Sequence, residues 1–316
     1  MNGLIAVTDH EWFEFLSRQQ GLDEVNFWRP SDTRTPRQMQ PGMPVLFKLR
    51  KHYGGWIVGF GLFARHSVLP AWLAWDAFGL KNGAVSFADM RRRIERLRHG
   101  HKPPPDRGGA DYSIGCLMLS QPAFLEREHW VRSPRDWPEN AVQGKAYDLA
   151  SGEGARVWSE CLLGARTSAA EEAAAHGTLA EGAPRYGDAV LVRPRLGQGI
   201  FRIAVTEAYG AACAVTREHS LPALEAGHIR PYSDGGEHAV PNGLLLRSDI
   251  HRLFDAGYVG ITQDHRFVVS GRLKDDYHNG RTYYPLDGQA IQVPQTVADR
   301  PDPRELEWHM DVRFRR

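Results

Sequence analysis

The chain has 316 residues, of which 42% are hydrophobic and 24% are charged, and its formal net charge is +1. This length predicts two domains that can each bury a core, and the near-neutral charge excludes a globally basic DNA-binding protein. The sequence has no run of about 18 apolar residues, and its first residues lack a basic segment followed by an apolar one. We therefore expect a cytoplasmic protein with no membrane partner.

The first half of the chain alternates helix and strand patterns, which predicts an α+β fold. A capping residue and apolar spacing predict a helix at 8–20, and two further helices are predicted at 70–78 and 86–97. Strands are predicted at 45–49 and 56–64, joined by a turn at 53–55, and at 114–119, where Gln121-Pro122 is expected to end the strand.

Aromatic residues are dense between positions 27 and 78. Most such residues belong to a core, but a few could line a pocket for a base turned out of the DNA duplex. The pattern resembles domains of the PUA superfamily, especially the EVE and SRA-like readers, over about residues 20–150. The residues that carry the resemblance are Asn26-Phe27-Trp28-Arg29-Pro30-Ser31, Pro41-Gly42 before the strand 45–49, and Ile57-Val58-Gly59.

This resemblance implies a PUA-like β-barrel domain with flanking helices at 1–150, which reads modified bases in DNA. It suggests a modified-base pocket formed by Trp28, Ser31, Trp56 and Phe63. Between positions 151 and 185 the composition shifts to Ala, Glu and Gly, which indicates a linker that is helical in part. A second domain is then predicted at 186–316.

The second domain contains two short strand patterns, at 213–216 and 223–229, followed by a turn at 232–241 and a helix at 248–254. His228 ends the second strand, and Asn242 is followed nine residues later by His251. Asp255 lies four residues beyond His251, on the same helix face, so both side chains can converge on one ion. The three cysteines are too widely spaced for a Cys-x-x-Cys zinc site, so any metal must be held by His, Asp or Glu.

This spacing resembles the HNH, or ββα-metal, nuclease motif. The resemblance implies that His228 is the general base, that Asn242 fixes the loop carrying the base, and that His251 binds the metal. Many HNH enzymes have a further ligand immediately before the base, where this chain has Gly227. Either water fills that coordination position or Glu225 reaches in from the same strand face.

We therefore expect His251, Asp255 and Glu225 to hold one divalent ion, Mg²⁺ or Mn²⁺, with Ni²⁺ as a further option. Arg230, Arg247 and Arg252 flank the motif and could bind DNA phosphates, or they could be ordinary surface arginines. The other histidines, including His219, His238 and His265, are expected at the surface or in turns.

The segment 190–316 is also similar to HNH proteins of the modification-dependent restriction type. The expected function is a metal-dependent endonuclease that cuts foreign double-stranded DNA containing modified cytosine, as a defence against phage. A double-strand cut needs two nuclease units, so a homodimer is expected on functional grounds. Two alternatives remain open: a nuclease acting on unmodified or structured DNA, and a DNA-binding protein whose nuclease has lapsed, as Gly227 would allow.

Overall fold

The computed structural model describes residues 1–30, 39–99, 112–139, 141, 143–175, 197–278 and 280–316. The chain divides into two compact units, Met1–Arg195 and Leu196–Arg316. Within the described ranges no helix has the length and apolar character needed to cross a membrane.

The first unit is a mixed sheet with helices packed on it. In chain order its elements are β1 (Asn2–Thr8), α1 (His10–Ser17), β2 (Glu24–Arg29), β3 (Pro44–Leu49), β4 (Ile57–Pro70), α2 (Ala71–Phe78), α3 (Phe87–His99), β5 (Ser113–Phe124), β6 (Gly144–Asp148) and α4 (Gly152–Ala175). The six strands have the order β2-β5-β4-β3-β1-β6, and only β1 and β3 are parallel neighbours. Within the described residues β2 and β6 are the two edges, so this sheet is open and the predicted closed barrel is not formed.

The prediction that Gln121-Pro122 ends a strand is wrong, because β5 continues to Phe124. The pairing of β4 with β5 shifts between Phe60 and Leu62, which face Ala123 and Ser120. Gln121 and Pro122 are the extra residues of this irregularity, and Gln121 adopts a φ of 48°. A β-bulge accommodates a proline because the bulged residue is released from the regular ladder.

The segment predicted as a linker at 151–185 begins with α4. Val157 and Cys161 on this helix are fully buried in a core that includes Ile5 and Phe60 of the sheet. The Trp158 ring also contacts Phe60 edge-on, with 4.9 Å between ring centroids. The part of α4 that carries these residues therefore packs as part of the first unit, whereas 176–185 lie outside the described residues.

The second unit consists of α5 (Gln198–Ala208), β7 (Leu224–His228), β8 (Gly243–Arg247), α6 (Ser248–Asp255), β9 (Val259–Ile261), β10 (Phe267–Val269), α7 (Arg272–Tyr277) and α8 (Pro303–Val312). The strands β7 and β8 are antiparallel and lead into α6, which gives the ββα arrangement. The predicted first strand at 213–216 is wrong, since these residues form a turn closed by the bond from Arg217 N to Cys213 O (2.9 Å). The second strand of the unit is instead β8.

The apolar run of β8 holds the ββα unit in the core. Leu244, Leu245 and Leu246 are each at most 1% exposed, so both faces of this strand are covered. At the start of the strand, a Cβ on Gly243 would lie 2.5 Å from Cγ2 of Val205 on α5. This close approach sets the position of Asn242, the residue before the strand.

A buried histidine joins α8 to α6. His309 is 2% exposed, its ring stacks on Phe254 at 3.7 Å, and its Nε2 donates a hydrogen bond to Phe254 O (3.0 Å). Burial lowers the pKa of His309 to about 4, from the roughly 6.5 of an exposed histidine. The unfolded chain therefore binds a proton in a pH range where the folded chain does not.

We expect this titration to make the second unit sensitive to acid. The stability linked to His309 is fully present above pH 6.5 and is lost as the pH falls towards 4, by up to roughly 3 kcal/mol. Urea denaturation followed by circular dichroism at successive pH values should show this decline, and His309→Phe, which keeps the stacked ring, should make it shallower. His219→Gln at an exposed position is the control. An unchanged pH slope in His309→Phe would contradict the assignment.

Candidate active site

His228 is the last residue of β7 and is half-buried. Its ring stacks on Phe201 of α5, with 4.0 Å between centroids, and its Nε2 lies 2.8 Å from Nδ1 of His238. Burial, together with the charges of His238 and His251, lowers the pKa of His228 to about 4. The imidazole is therefore neutral at pH 7, as a group that accepts a proton must be.

Asn242 hydrogen-bonds to the loop that connects β7 to β8. Its Oδ1 accepts from Arg230 N, and its Nδ2 donates to Arg230 O and to Glu237 O, each at 2.9 Å. The side chain is buried, so three backbone groups of the loop are satisfied by one amide away from solvent. The loop also needs Gly236, because a Cβ there would lie 1.9 Å from Arg230 O.

His251 on α6 has a carboxylate at each ring nitrogen. Its Nε2 lies 3.5 Å from Oδ2 of Asp255, and its Nδ1 lies 2.7 Å from Oε2 of Glu225. An ion on Nε2 can therefore be shared with Asp255, whereas Glu225 accepts the hydrogen bond that orients the ring. Within the described ranges no three His, Cys, Asp or Glu side chains are grouped to hold a metal ion, and Glu225 does not join the other two predicted ligands.

The pair His251 and Asp255 fits a hydrated divalent ion. The side chain of Asp255 is 57% exposed and that of His251 is 19% exposed, so neither side chain is fully closed off from solvent. Mg²⁺ keeps several of its waters and binds proteins through one or two carboxylates. One carboxylate and one imidazole are therefore a sufficient protein contribution for such an ion.

Gly227 lies directly against the ring of His251. A Cβ at this position would be 2.4 Å from Nε2 and 2.5 Å from Cδ2 of His251, well inside contact distance. Any side chain at 227, including an aspartate or histidine, would therefore collide with this ring. A ligand side chain at position 227 and the present position of the His251 ring therefore exclude each other.

The three arginines predicted to bind phosphate differ in their surroundings. Arg247 makes two hydrogen bonds to Asp249, at 2.6 and 2.7 Å, so its guanidinium is already paired with that carboxylate. Arg230 donates to Asp234 O (2.7 Å) and lies over the Trp308 ring at 5.3 Å. Arg252 is exposed on α6 and makes no ion pair in the part of the chain that the structure describes.

The Trp308 ring also contacts a second arginine. The guanidinium of Arg313 lies 5.9 Å from the ring centroid, and it pairs with Asp234 at 2.6 Å. The end of α8 is thereby tied to the loop that follows His228.

The predicted base-pocket residues are not brought together in one cavity. Trp28 lines a cavity of about 240 Å³, and its Nε1 donates to Asn82 O (2.9 Å). Trp56 lines a different cavity, of about 700 Å³, where the guanidinium of Arg132 lies 5.3 Å from its ring. Phe63 is 5% exposed in the core, and Ser31 lies outside the described residues.

The structure adds His238 to the site. The sequence predicted a surface or turn position for this residue, but its ring contacts His228 and also stacks on Tyr232 at 5.0 Å. Its neighbours in sequence, Gly235 to Pro241, show no strand or helix periodicity, so no pattern indicated which way the ring would point.

Comparison with known proteins gives a family match within the second unit. Residues 213–262 match the family model described as HNH endonuclease. This segment contains β7, β8 and α6, so the second unit contains an HNH endonuclease domain, and the prediction of an HNH endonuclease is confirmed. HNH nucleases are generally dependent on a divalent metal ion. Comparison with curated proteins gives no significant match.

Among solved structures, the chain is similar to a "Modification dependent TagI restriction endonuclease" at 15% sequence identity. The alignment covers 93% of this chain and 76% of that chain, with a TM-score of 0.30. A TM-score of this size does not establish a shared fold.

Proposed function

We propose that the protein is a divalent-metal-dependent DNA endonuclease of the modification-dependent restriction type. The second unit would hydrolyse phosphodiester bonds, and the first unit would read a modified cytosine. The observation that carries the nuclease part is a neutral histidine at the end of β7 of an HNH domain whose α6 presents His251 beside Asp255.

In this proposal His228 accepts a proton from the attacking water as its oxygen approaches the phosphorus. Asn242 holds the loop after His228, so the base keeps a fixed place relative to α6. Nε2 of His251 and Oδ2 of Asp255 would hold the ion, and Glu225 would orient the imidazole through Nδ1. When bound, the ion neutralises charge on the phosphate and on the leaving oxygen. The exposed Arg252 is the arginine best placed to contact a neighbouring phosphate.

The reader part of the proposal assigns selectivity to the first unit. A ββα unit contacts the sugar-phosphate backbone, and backbone contacts carry no direct sequence information. The cavity beside Trp28 is also lined by Trp12, Phe27 and Arg50, which combine aromatic faces with a charged donor. An extruded base is recognised by such stacking together with contacts to its edge. We propose this cavity as the base pocket, in place of a pocket that also contains Trp56 and Phe63.

The proposed substrate is double-stranded DNA, and the proposed working form is a homodimer, because cutting both strands needs two nuclease units.

A digestion panel tests the function. The full chain is incubated with duplexes of one sequence that contain cytosine, 5-methylcytosine or 5-hydroxymethylcytosine, with Mg²⁺, with Mn²⁺, or with a chelator. We expect one modified duplex to be cut at least about tenfold faster than the unmodified one, since one to three kcal/mol of base discrimination is typical. We expect no cutting with the chelator.

Two variants test which cavity of the first unit reads the modified base. Arg50→Ala beside Trp28 should reduce the preference for modified DNA, whereas Arg132→Ala beside Trp56 should leave it unchanged. Equal cutting of all three duplexes by the unaltered protein would reject the reader and keep the nuclease. If the unaltered protein cuts every duplex no faster than His228→Ala does, the proposed nuclease activity is rejected.

A further inference from the structure

Two histidines share one hydrogen bond at the candidate site. Nε2 of His228 and Nδ1 of His238 are 2.8 Å apart, a normal length for a hydrogen bond. One of these two nitrogens must carry the proton and the other must supply the lone pair. His228 Nδ1 makes no hydrogen bond to any residue that the structure describes. The direction of the shared bond therefore decides which nitrogen of His228 can act as a base.

The position of His238 is fixed from three sides. Its ring stacks on Tyr232 with an interplanar angle of 5°, and it also contacts Phe201, on which His228 is stacked. The residue before it, Glu237, is held by the bond from Asn242 Nδ2 to its carbonyl oxygen. The buried asparagine of the motif thus places His238 as well as the backbone that follows His228.

We propose that His238 is a positioning residue for the general base, an inference that rests on the proposed nuclease function. Its Nδ1 accepts the hydrogen bond from Nε2–H of His228, which fixes the tautomer of His228 with the lone pair on Nδ1. That Nδ1 is then the atom that takes the proton from water. A base held in place by a third group is a general arrangement in hydrolytic sites.

The contact gains strength as the reaction proceeds. When Nδ1 of His228 takes up a proton, the ring becomes an imidazolium and Nε2–H becomes a charged donor to His238. Hydrogen bonds from a charged donor are roughly twice as strong as neutral ones. Because the charge on His228 develops only during the reaction, the loss of His238 should lower kcat and leave KM nearly unchanged.

Two substitutions distinguish the acceptor nitrogen from the ring. His238→Phe keeps a ring that can stack on Tyr232 but has no acceptor. His238→Asn loses the ring but places Oδ1, an acceptor, three bonds from Cα, where the histidine has Nδ1. A purely structural role would favour the phenylalanine variant, whereas the proposed role favours the asparagine variant.

The experiment measures nicking of supercoiled plasmid DNA containing 5-hydroxymethylcytosine or 5-methylcytosine, with Mn²⁺, by the full chain and its variants. We expect kcat to fall about 10-fold to 100-fold in His238→Phe, the range typical of groups that orient a metal-bound histidine, with KM within about twofold. His238→Asn should recover most of the loss. The thermal midpoint of each variant is measured to check that it folds. If the phenylalanine variant does not fold, His238→Ala takes its place.

Wild-type kcat in His238→Phe would overturn the role of His238, and so would an asparagine variant as slow as the alanine variant. The proposed function fails separately, if the unaltered protein nicks no faster than His228→Ala. A slow His238→Phe variant with a rescued His238→Asn variant supports the proposal, because only the acceptor is common to histidine and asparagine.

Discussion

Replacing His228 with alanine is expected to lower the rate of DNA cleavage by about 10²-fold to 10⁴-fold, the contribution of a positioned general base. DNA binding should persist, because the side chain is half-buried against Phe201. Single-turnover cleavage with saturating Mn²⁺ measures the rate, and fluorescence anisotropy with labelled duplex measures binding.

His219→Ala is the matched control for this prediction, since His219 is an exposed histidine of the same unit. We expect it to cut DNA at the rate of the unaltered protein. If His228→Ala also kept that rate, the base would have to be another group, and the site would need a different mechanism.

Replacing Gly227 with aspartate is expected to reduce cleavage by at least about tenfold, although it introduces the residue that many HNH sequences have at this position. The reason is steric: the new Cβ would lie 2.4 Å from Nε2 of His251, the atom assigned to the metal. Displacing that ring should weaken metal binding. Loss of a group that orients a metal-bound histidine typically lowers metal affinity by roughly 10-fold to 100-fold. Calorimetric titration with Mn²⁺ and the Mn²⁺ dependence of cleavage are the two readouts.

Gly271→Asp is the control, because a Cβ at Gly271 has no atom within 4 Å and the residue precedes α7. It should bind Mn²⁺ and cut DNA like the unaltered protein. Tighter Mn²⁺ binding or faster cleavage in Gly227→Asp would show that His251 can move aside and that the glycine is a lost ligand rather than a required one.

The sequence placed His228 at a strand end and His251 on a helix, as the structure has them, because strand ends and helix faces follow from local spacing. It did not identify β8 as the partner of β7, since the run Leu244-Leu245-Leu246 is apolar on both faces and lacks the alternation of an exposed strand. The true partner is set by contacts with α5 and with the turn at 213–216. These are distant in sequence, so no local pattern encodes them.

The directions of side chains were the second feature that the sequence could not predict. Strand alternation put Glu225 on the same face as position 227, but it could not tell which ring nitrogen of His251 the carboxylate would meet. In the first unit, β1, β2 and β6 were not predicted, and β6 pairs with β1 across most of the unit. A short edge strand such as β6, whose pairing partner is that distant, has no signature in a single sequence.

The contact of Arg230 and Arg313 with Trp308 determines what intrinsic fluorescence can report. The chain has nine tryptophans, and Trp308 is the one that belongs to the second unit. Emission from the whole protein is therefore dominated by the first unit, and a melting curve recorded this way would scarcely register loss of the nuclease site. The difference between the unaltered protein and Trp308→Phe isolates a single indole that touches the arginine two residues after His228. That difference spectrum is an optical probe of the loop on which the base is carried.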